Sequence, residues 1–146
     1  MKIVVDSNIV FSAILNRESS IGDIILNSQD AFTFCTCEYL RQEINNHKDK
    51  IIEIAGYDEA EYSEVAFLIY KQIDFFSEST IPFEFWQKAA DLVRDIDMDD
   101  ISFLALSLFI DIKIWTGDKR LITGLAKKGF KNIITTQEML QIRHEM

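Results

Sequence analysis

The chain has 146 residues, 48% of them hydrophobic, one proline and a formal net charge of −9. That size fits one domain, expected to run over 1–146 around one sizeable core, and the apolar content excludes a disordered chain. No apolar run approaches about 18 residues, which excludes a membrane-spanning helix, and Asp6 interrupts the apolar start as a secretory signal does not, so a cytoplasmic protein is expected.

The opening "KIVVDS" is a short β-rich run that stays apolar through Val5 and ends in Asp-Ser-Asn. "NIVFSAIL" reads as a helix, and "SSIGDIILNSQ" as a second short helix with serine caps and an apolar stripe. "AFTFCT" is a strand ending near Thr36. "EYLRQEINNH" places Tyr39, Leu40 and Ile44 at helical spacing. Residues 48–55 and 58–73 read as two further helices broken at Gly56, and "DFFSES" as a short strand. Pro82 fits the first turn of a helix running to about Arg94. Residues 99–110 form a helix apolar on nearly all sides, which implies burial. "IKIWT" is a strand, Gly117 a turn, and "KRLITGLAKKG" a helix stopped by Gly129. "NIIT" is a last strand, followed by a helix with a capping box from Thr135 to Glu138. Strands alternating with helices predict an α/β fold with a mainly parallel sheet.

Cys35 and Cys37 form C-T-C without a histidine at zinc-site spacing, so they read as small apolar residues of a strand. Charge is unevenly spread. Glu53 to Asp100 holds thirteen acids and three bases, whereas Lys119 to Gln137 holds five bases and no acid.

In open α/β sheets ligands bind beyond the carboxyl ends of the strands. Asp6 closes the first strand, and Asp118 follows "IKIWTG". If these strands are neighbours, both carboxylates meet at one rim. Asp99 or Asp100, at the mouth of the apolar helix, would face them. A fourth acid comes from the helix after the second strand, at Glu38 or Glu43. Carboxylates gathered this closely do not all stay ionised alone. Hard divalent cations, Mg²⁺ or Mn²⁺, answer that with oxygen ligands, and one or two such ions serve phosphodiester hydrolysis. Aspartates at helix starts also cap free amides, which accounts for Asp95 and Asp97 without any chemistry.

"VVDSNIV", "YLRQEI", "DIDMDDISFLALSL" and "IWTGDKRL" come in the order and at roughly the spacing of PIN-domain nucleases, and the resemblance covers essentially the whole chain. Small stand-alone members, many of them VapC-like toxins of toxin–antitoxin pairs, are the most similar. The resemblance implies a three-layer α/β/α fold with a five-stranded sheet of order 3-2-1-4-5. It implies Mg²⁺- or Mn²⁺-dependent cleavage of RNA, with Asp6, Glu43, Asp100 and Asp118 as catalytic and metal-ligating acids. Asp99 is an additional candidate ligand. Asn8 and Thr116 match supporting positions of the first and fourth motifs, and an antitoxin protein and a homodimer are expected as partners. Many members carry another acid soon after the fourth motif's aspartate; here Lys119, Arg120 and Leu121 follow. Lys119 and Arg120 begin a helix at the expected active rim, where they can hold RNA phosphates. For an antitoxin helix, residues 20–28 and 58–73, with Phe67, Leu68 and Tyr70, are candidate docking surfaces. Two other classes compete: a PIN-like module that binds RNA or protein without cutting, and a phosphoryl-transfer enzyme with an aspartate nucleophile. The second wants Asp-x-Asp after the first strand, and the third residue here is Asn8.

Overall fold

The computed structural model describes residues 1–146. Five strands, β1 (Lys2–Val5), β2 (Thr33–Cys37), β3 (Ile73–Phe76), β4 (Lys113–Trp115) and β5 (Ile133–Ile134), form one sheet. Its order is β3-β2-β1-β4-β5, and every pairing is parallel. The nine α-helices are α1 (Ser7–Leu15), α2 (Ser20–Asn27), α3 (Tyr39–Asn46), α4 (Lys48–Ala55), α5 (Glu59–Tyr70), α6 (Phe83–Val93), α7 (Ile101–Ile110), α8 (Lys119–Lys127) and α9 (Thr136–His144). They flank the sheet, as the α/β expectation requires. No helix is long and apolar enough to cross a membrane.

The centre of the sheet is apolar on both faces. Ile3, Val4 and Val5 of β1 are fully buried, which suits a parallel strand covered by helices on both sides. Trp115 closes β4, wholly buried, with its ring 5.9 Å from that of Phe34 in β2. Its indole N–H donates to Thr136 Oγ1 at 2.9 Å, so the largest core side chain leaves no polar atom unpaired. Helix α7 is buried from Ser102 through Ser107 and packs against β1, β2, β4 and α6. Its sequence is apolar on nearly all sides because it is covered on nearly all sides.

Local chemistry sets most element ends. Asp58 and Thr135 each form a complete capping box, with Glu61 and Glu138. Gly56 and Gly129 stop their helices with φ of 74° and 79°, a region that L side chains rarely adopt. Both cysteines are free and buried in β2, as expected of apolar strand residues.

Three boundaries differ from the sequence reading. Helix α5 ends at Tyr70, and Ile73 already belongs to β3, because the chain must turn there to pair with β2. Pro82 lies outside the first turn of α6 and holds the N-cap position instead. The helix expected from residue 99 is two pieces: a 3₁₀ turn over Met98–Asp100, then α7 from Ile101.

Candidate active site

Val5 of β1 pairs in register with Trp115 of β4, so the next residues, Asp6 and Thr116, emerge side by side at the carboxyl edge of the two central strands. Asp6 is 1% exposed. The N–H of Ile9 donates to its Oδ1 at 2.9 Å, so one oxygen caps α1. The other, Oδ2, is buried with no hydrogen-bond partner. Capping therefore explains half of this carboxylate and leaves the other half unaccounted for. Burial pushes its pKa up to about 6; the Thr116 hydroxyl and the N–H groups of Ile9 and Asn8 oppose the shift, and the charge of Asp118 adds to it.

Asp118 caps α8. Its Oδ1 accepts from the N–H of Arg120 (3.0 Å) and Leu121 (3.2 Å). Thr116, fully buried, accepts the Asp118 N–H on its Oγ1 at 3.1 Å and also lies against Asp6. It thus joins the two aspartates across adjacent strands.

Asp100 ends the 3₁₀ turn and is 6% exposed. Its side chain makes no capping bond to α7. Burial first, then the charges of Asp6, Asp97, Asp118 and Glu43, push its carboxyl up to about 7. The 3₁₀ turn directs this acid toward Asp6 and Asp118 instead of leaving it on a solvated helix face.

Glu43 sits in α3 beside the buried Ile44 and is half-buried. Its Oε1 has no partner, and burial followed by the charges of Asp99, Asp6 and Asp97 brings its pKa to about 7, against the pull of the Ser7 hydroxyl. Glu38 is exposed and pairs with Arg41 at 3.1 Å, and its charge is not among those that bear on Asp6, Glu43 and Asp100. The resemblance names Glu43 rather than Glu38, and it is Glu43 whose surroundings reach the other acids.

Asp6, Glu43, Asp100 and Asp118 are therefore brought within electrostatic reach of one another. They do not close into a preformed cage, since no three histidine, cysteine, aspartate or glutamate side chains stand in ligating arrangement. Asp99 is exposed and its charge bears on Glu43, so it stands at the rim. Asp97 accepts the Asp99 N–H at 2.9 Å, the capping role read from sequence, yet its charge also reaches Asp100 and Glu43. The absence of an acid after Asp118 already makes Asp97 a candidate helper beside Asp99, and its charge places it at the rim with them. Asn8 is exposed and shares a small cavity of about 180 Å³ with Ser7, Glu43, His47 and Lys50. Neither His47 nor Lys50 was singled out by spacing, because the neighbourhood is made by three helices, α1, α3 and α4.

Lys119 and Arg120 are exposed in the first turn of α8. They line an open groove that also takes in Lys127 and Lys128. Lys128 is engaged elsewhere, with Asp95 and the carbonyls of Asp91 and Leu92 at the end of α6.

A family model described as "PIN domain" matches residues 4–142. No curated protein matches the chain. Among solved structures, a chain of VapBC2 from Rickettsia felis, bound to a DNA fragment from their promoter, superposes with a TM-score of 0.67 at 12% identity, covering 92% of this chain and 97% of that one. PAE2754 from Pyrobaculum aerophilum superposes with a TM-score of 0.72 at 14% identity, covering 100% of this chain and 91% of that one. Both show a shared fold.

Proposed function

Since this chain belongs to the PIN domain family, we propose that it is an Mg²⁺- or Mn²⁺-dependent endoribonuclease that acts as the toxin of a toxin–antitoxin pair. The observation that carries the reading is one rim where Asp6, Asp100 and Glu43 are all pushed up to about 6 or 7. Stability alone does not call for buried acids with unpaired oxygens.

The donor set fits a hard cation. Asp6 Oδ2 and Glu43 Oε1 are buried oxygens that no well-formed hydrogen bond satisfies, although the Thr116 and Ser7 hydroxyls lie near these carboxylates, and Asp100 and Asp118 add two more. Asp6, Glu43, Asp100 and Asp118 would hold one or two ions, with Asp99 in reserve at the rim. A bound Mg²⁺ or Mn²⁺ supplies Lewis-acid stabilisation of the charge that develops on the phosphodiester. In the metal-free protein burial raises the carboxyls of Asp6, Asp100 and Glu43 toward neutrality. Thr116 keeps Asp6 and Asp118 in register, and α7 fixes Asp100 from behind. Lys119 and Arg120 would hold the RNA backbone by its phosphates. The nucleophile is water: the rim offers carboxylates to orient it and no serine–histidine or cysteine–histidine pair to replace it.

A partner antitoxin would find Phe67 on α5, 63% exposed. Leu68 and Tyr70 are half-buried, and Tyr70 packs edge-on against Phe75. Of the apolar residues proposed on that helix, Phe67 is the anchor such a partner would use, and a homodimer would hide part of this surface.

The second reading, a PIN-like module that binds RNA or protein without cutting, draws on the open arrangement of the acids and on Lys119, Arg120 and Leu121 following Asp118 where many family members carry a further acid. One experiment separates the two. A labelled structured-RNA pool is incubated with Mg²⁺, Mn²⁺ or EDTA and wild type, Asp6→Asn or Asp100→Asn. Metal-dependent cutting that falls by about 100-fold or more in both variants is expected. RNA binding without cutting by a folded, metal-binding wild type selects the second reading.

A further inference from the structure

Beside the acids lies a cavity of about 500 Å³ between α3, the 3₁₀ turn at Glu78–Thr80, α6 and the turn that leads into α7. We propose that this cavity is a base-specificity subsite that receives one unpaired guanine of the RNA strand whose backbone crosses the neighbouring carboxylates; it rests on the ribonuclease reading above.

The cavity is contiguous with the site. Gln42 lines it and Glu43 follows; Asp99 lines it and Asp100 follows. The Tyr39 hydroxyl, also at its wall, feels the charges of Glu43, Asp99 and Asp97. A strand held at the acids therefore has a base within reach of this opening.

Its walls suit a base. Tyr39, Trp86 and Ile101 are half-buried and Met98 is 47% exposed, so two aromatic and two aliphatic side chains line the cavity with part of their surface still uncovered. Unpaired RNA bases are commonly held by stacking on such side chains and read along their Watson–Crick edges. The lining holds no lysine, arginine or histidine, which disfavours a phosphate there.

Its polar groups suit guanine. The available groups are dominated by acceptors: Glu38, Glu78 and Asp99. Glu38 is taken by Arg41. Glu78 is fixed, because its Oε1 accepts the Tyr39 N–H at 2.7 Å, and its Oε2 is left for a ligand. Ser102, 4% exposed, lines the cavity with an Oγ that has no partner. Guanine presents two adjacent donors, N1–H and N2–H₂, that match the Glu78 carboxylate held in one orientation, through Oε2 and the second lone pair of Oε1. Adenine and cytosine set an acceptor nitrogen beside their single amino group, and uracil flanks its one N–H with carbonyls. A carboxylate repels each of these acceptors.

The test measures binding apart from cutting. Fluorescein-labelled RNA pentamers of sequence AAXAA, with X as guanine, inosine, adenine or cytosine, are titrated with wild type, Trp86→Ala and Glu78→Gln in EDTA, and anisotropy is followed. Circular dichroism melts confirm folding, and Glu78→Gln keeps an oxygen for the Tyr39 N–H. The expected result is that guanine binds about 10-fold tighter than adenine or inosine, that Glu78→Gln abolishes this preference, and that Trp86→Ala weakens guanine binding by about 10-fold. Guanine preference in a protein that cuts no RNA upholds the subsite and overturns the ribonuclease reading. Equal affinity for all four pentamers, or no binding of any, overturns the subsite whether or not RNA is cut. Displacement of every pentamer alike by an arginine-rich peptide also overturns it, and assigns the cavity to a protein partner.

Discussion

Two stretches of buried chain meet at the end of β1 and follow opposite rules. Ile3, Val4 and Val5 are wholly buried and apolar; Asp6, the next residue, is 1% exposed and charged when ionised. Behind that point, buried polar atoms find partners: Thr36 Oγ1 donates to the Val5 carbonyl at 2.8 Å, and Ser107 Oγ to the Ile112 carbonyl at 2.6 Å. Ahead of it, Asp6 Oδ2 and Glu43 Oε1 find none. The difference shows what each part contributes. The core supplies stability, and the rim opposes it by holding acids that repel one another and face little water.

The largest test acts on the core side. Trp115→Ala is expected to cost about 3–5 kcal/mol in urea denaturation, through a cavity and a lost hydrogen bond to Thr136. Met98→Ala, at a residue 47% exposed, is expected to stay within about 0.5 kcal/mol of wild type. Equal costs would erase the distinction between the two regions.

The next test reads the rim by pH. Burial raises Asp6 from 3.8 to about 6, Asp100 from 3.8 to about 7 and Glu43 from 4.5 to about 7. Acids raised on folding bind protons more tightly in the folded state. Their contribution is full below about pH 4 and is lost as pH rises through 6 to 7. Without divalent ions, Tm is expected to fall by about 5 °C between pH 5 and pH 8. Mn²⁺ is expected to restore it at pH 8. A flat profile, or no response to Mn²⁺, would remove the tension assigned to the rim.

A smaller effect of opposite sign comes from Asp6→Asn. Asparagine keeps an oxygen to cap α1 but carries no charge, so the metal-free protein should gain about 1 kcal/mol at pH 8 in denaturant titration. A loss would mean that capping outweighs burial of the charge. Smallest are Lys119→Ala and Arg120→Ala, each expected to leave stability within about 0.5 kcal/mol and to lower the salt slope of RNA binding by about 1. An unchanged slope would take these residues off the RNA path.

The core side of this contrast was largely readable from the sequence, because its signals are local. Apolar runs, the capping box at Thr135 and Gly129 all act within a few residues, whereas the equally local box at Asp58 emerged only with the structure. The fold followed from motif order, which also nominated the four acids whose roles are proposed above. The resemblance singled out Glu43, and its burial beside Ile44 distinguishes it from Glu38 only once α3 is packed. The rim's finer features were hidden because they depend on distant segments. The 3₁₀ turn at Met98–Asp100 depends on how α6 hands the chain to α7. The cavity at Trp86 takes residues from three separate stretches, 38–42, 78–86 and 98–102, which no periodicity links.

The place of β1 has a consequence for the order in which the sheet forms. It lies between β2 and β4, and it joins Ile3 to Phe34 on one side but Ile3 to the far more distant Lys113 on the other. Contacts between distant segments are the slower to form. Asp6 therefore gains β2 as a neighbour before it gains Thr116 and Asp118, and the rim is the last part of the sheet's centre to be assembled.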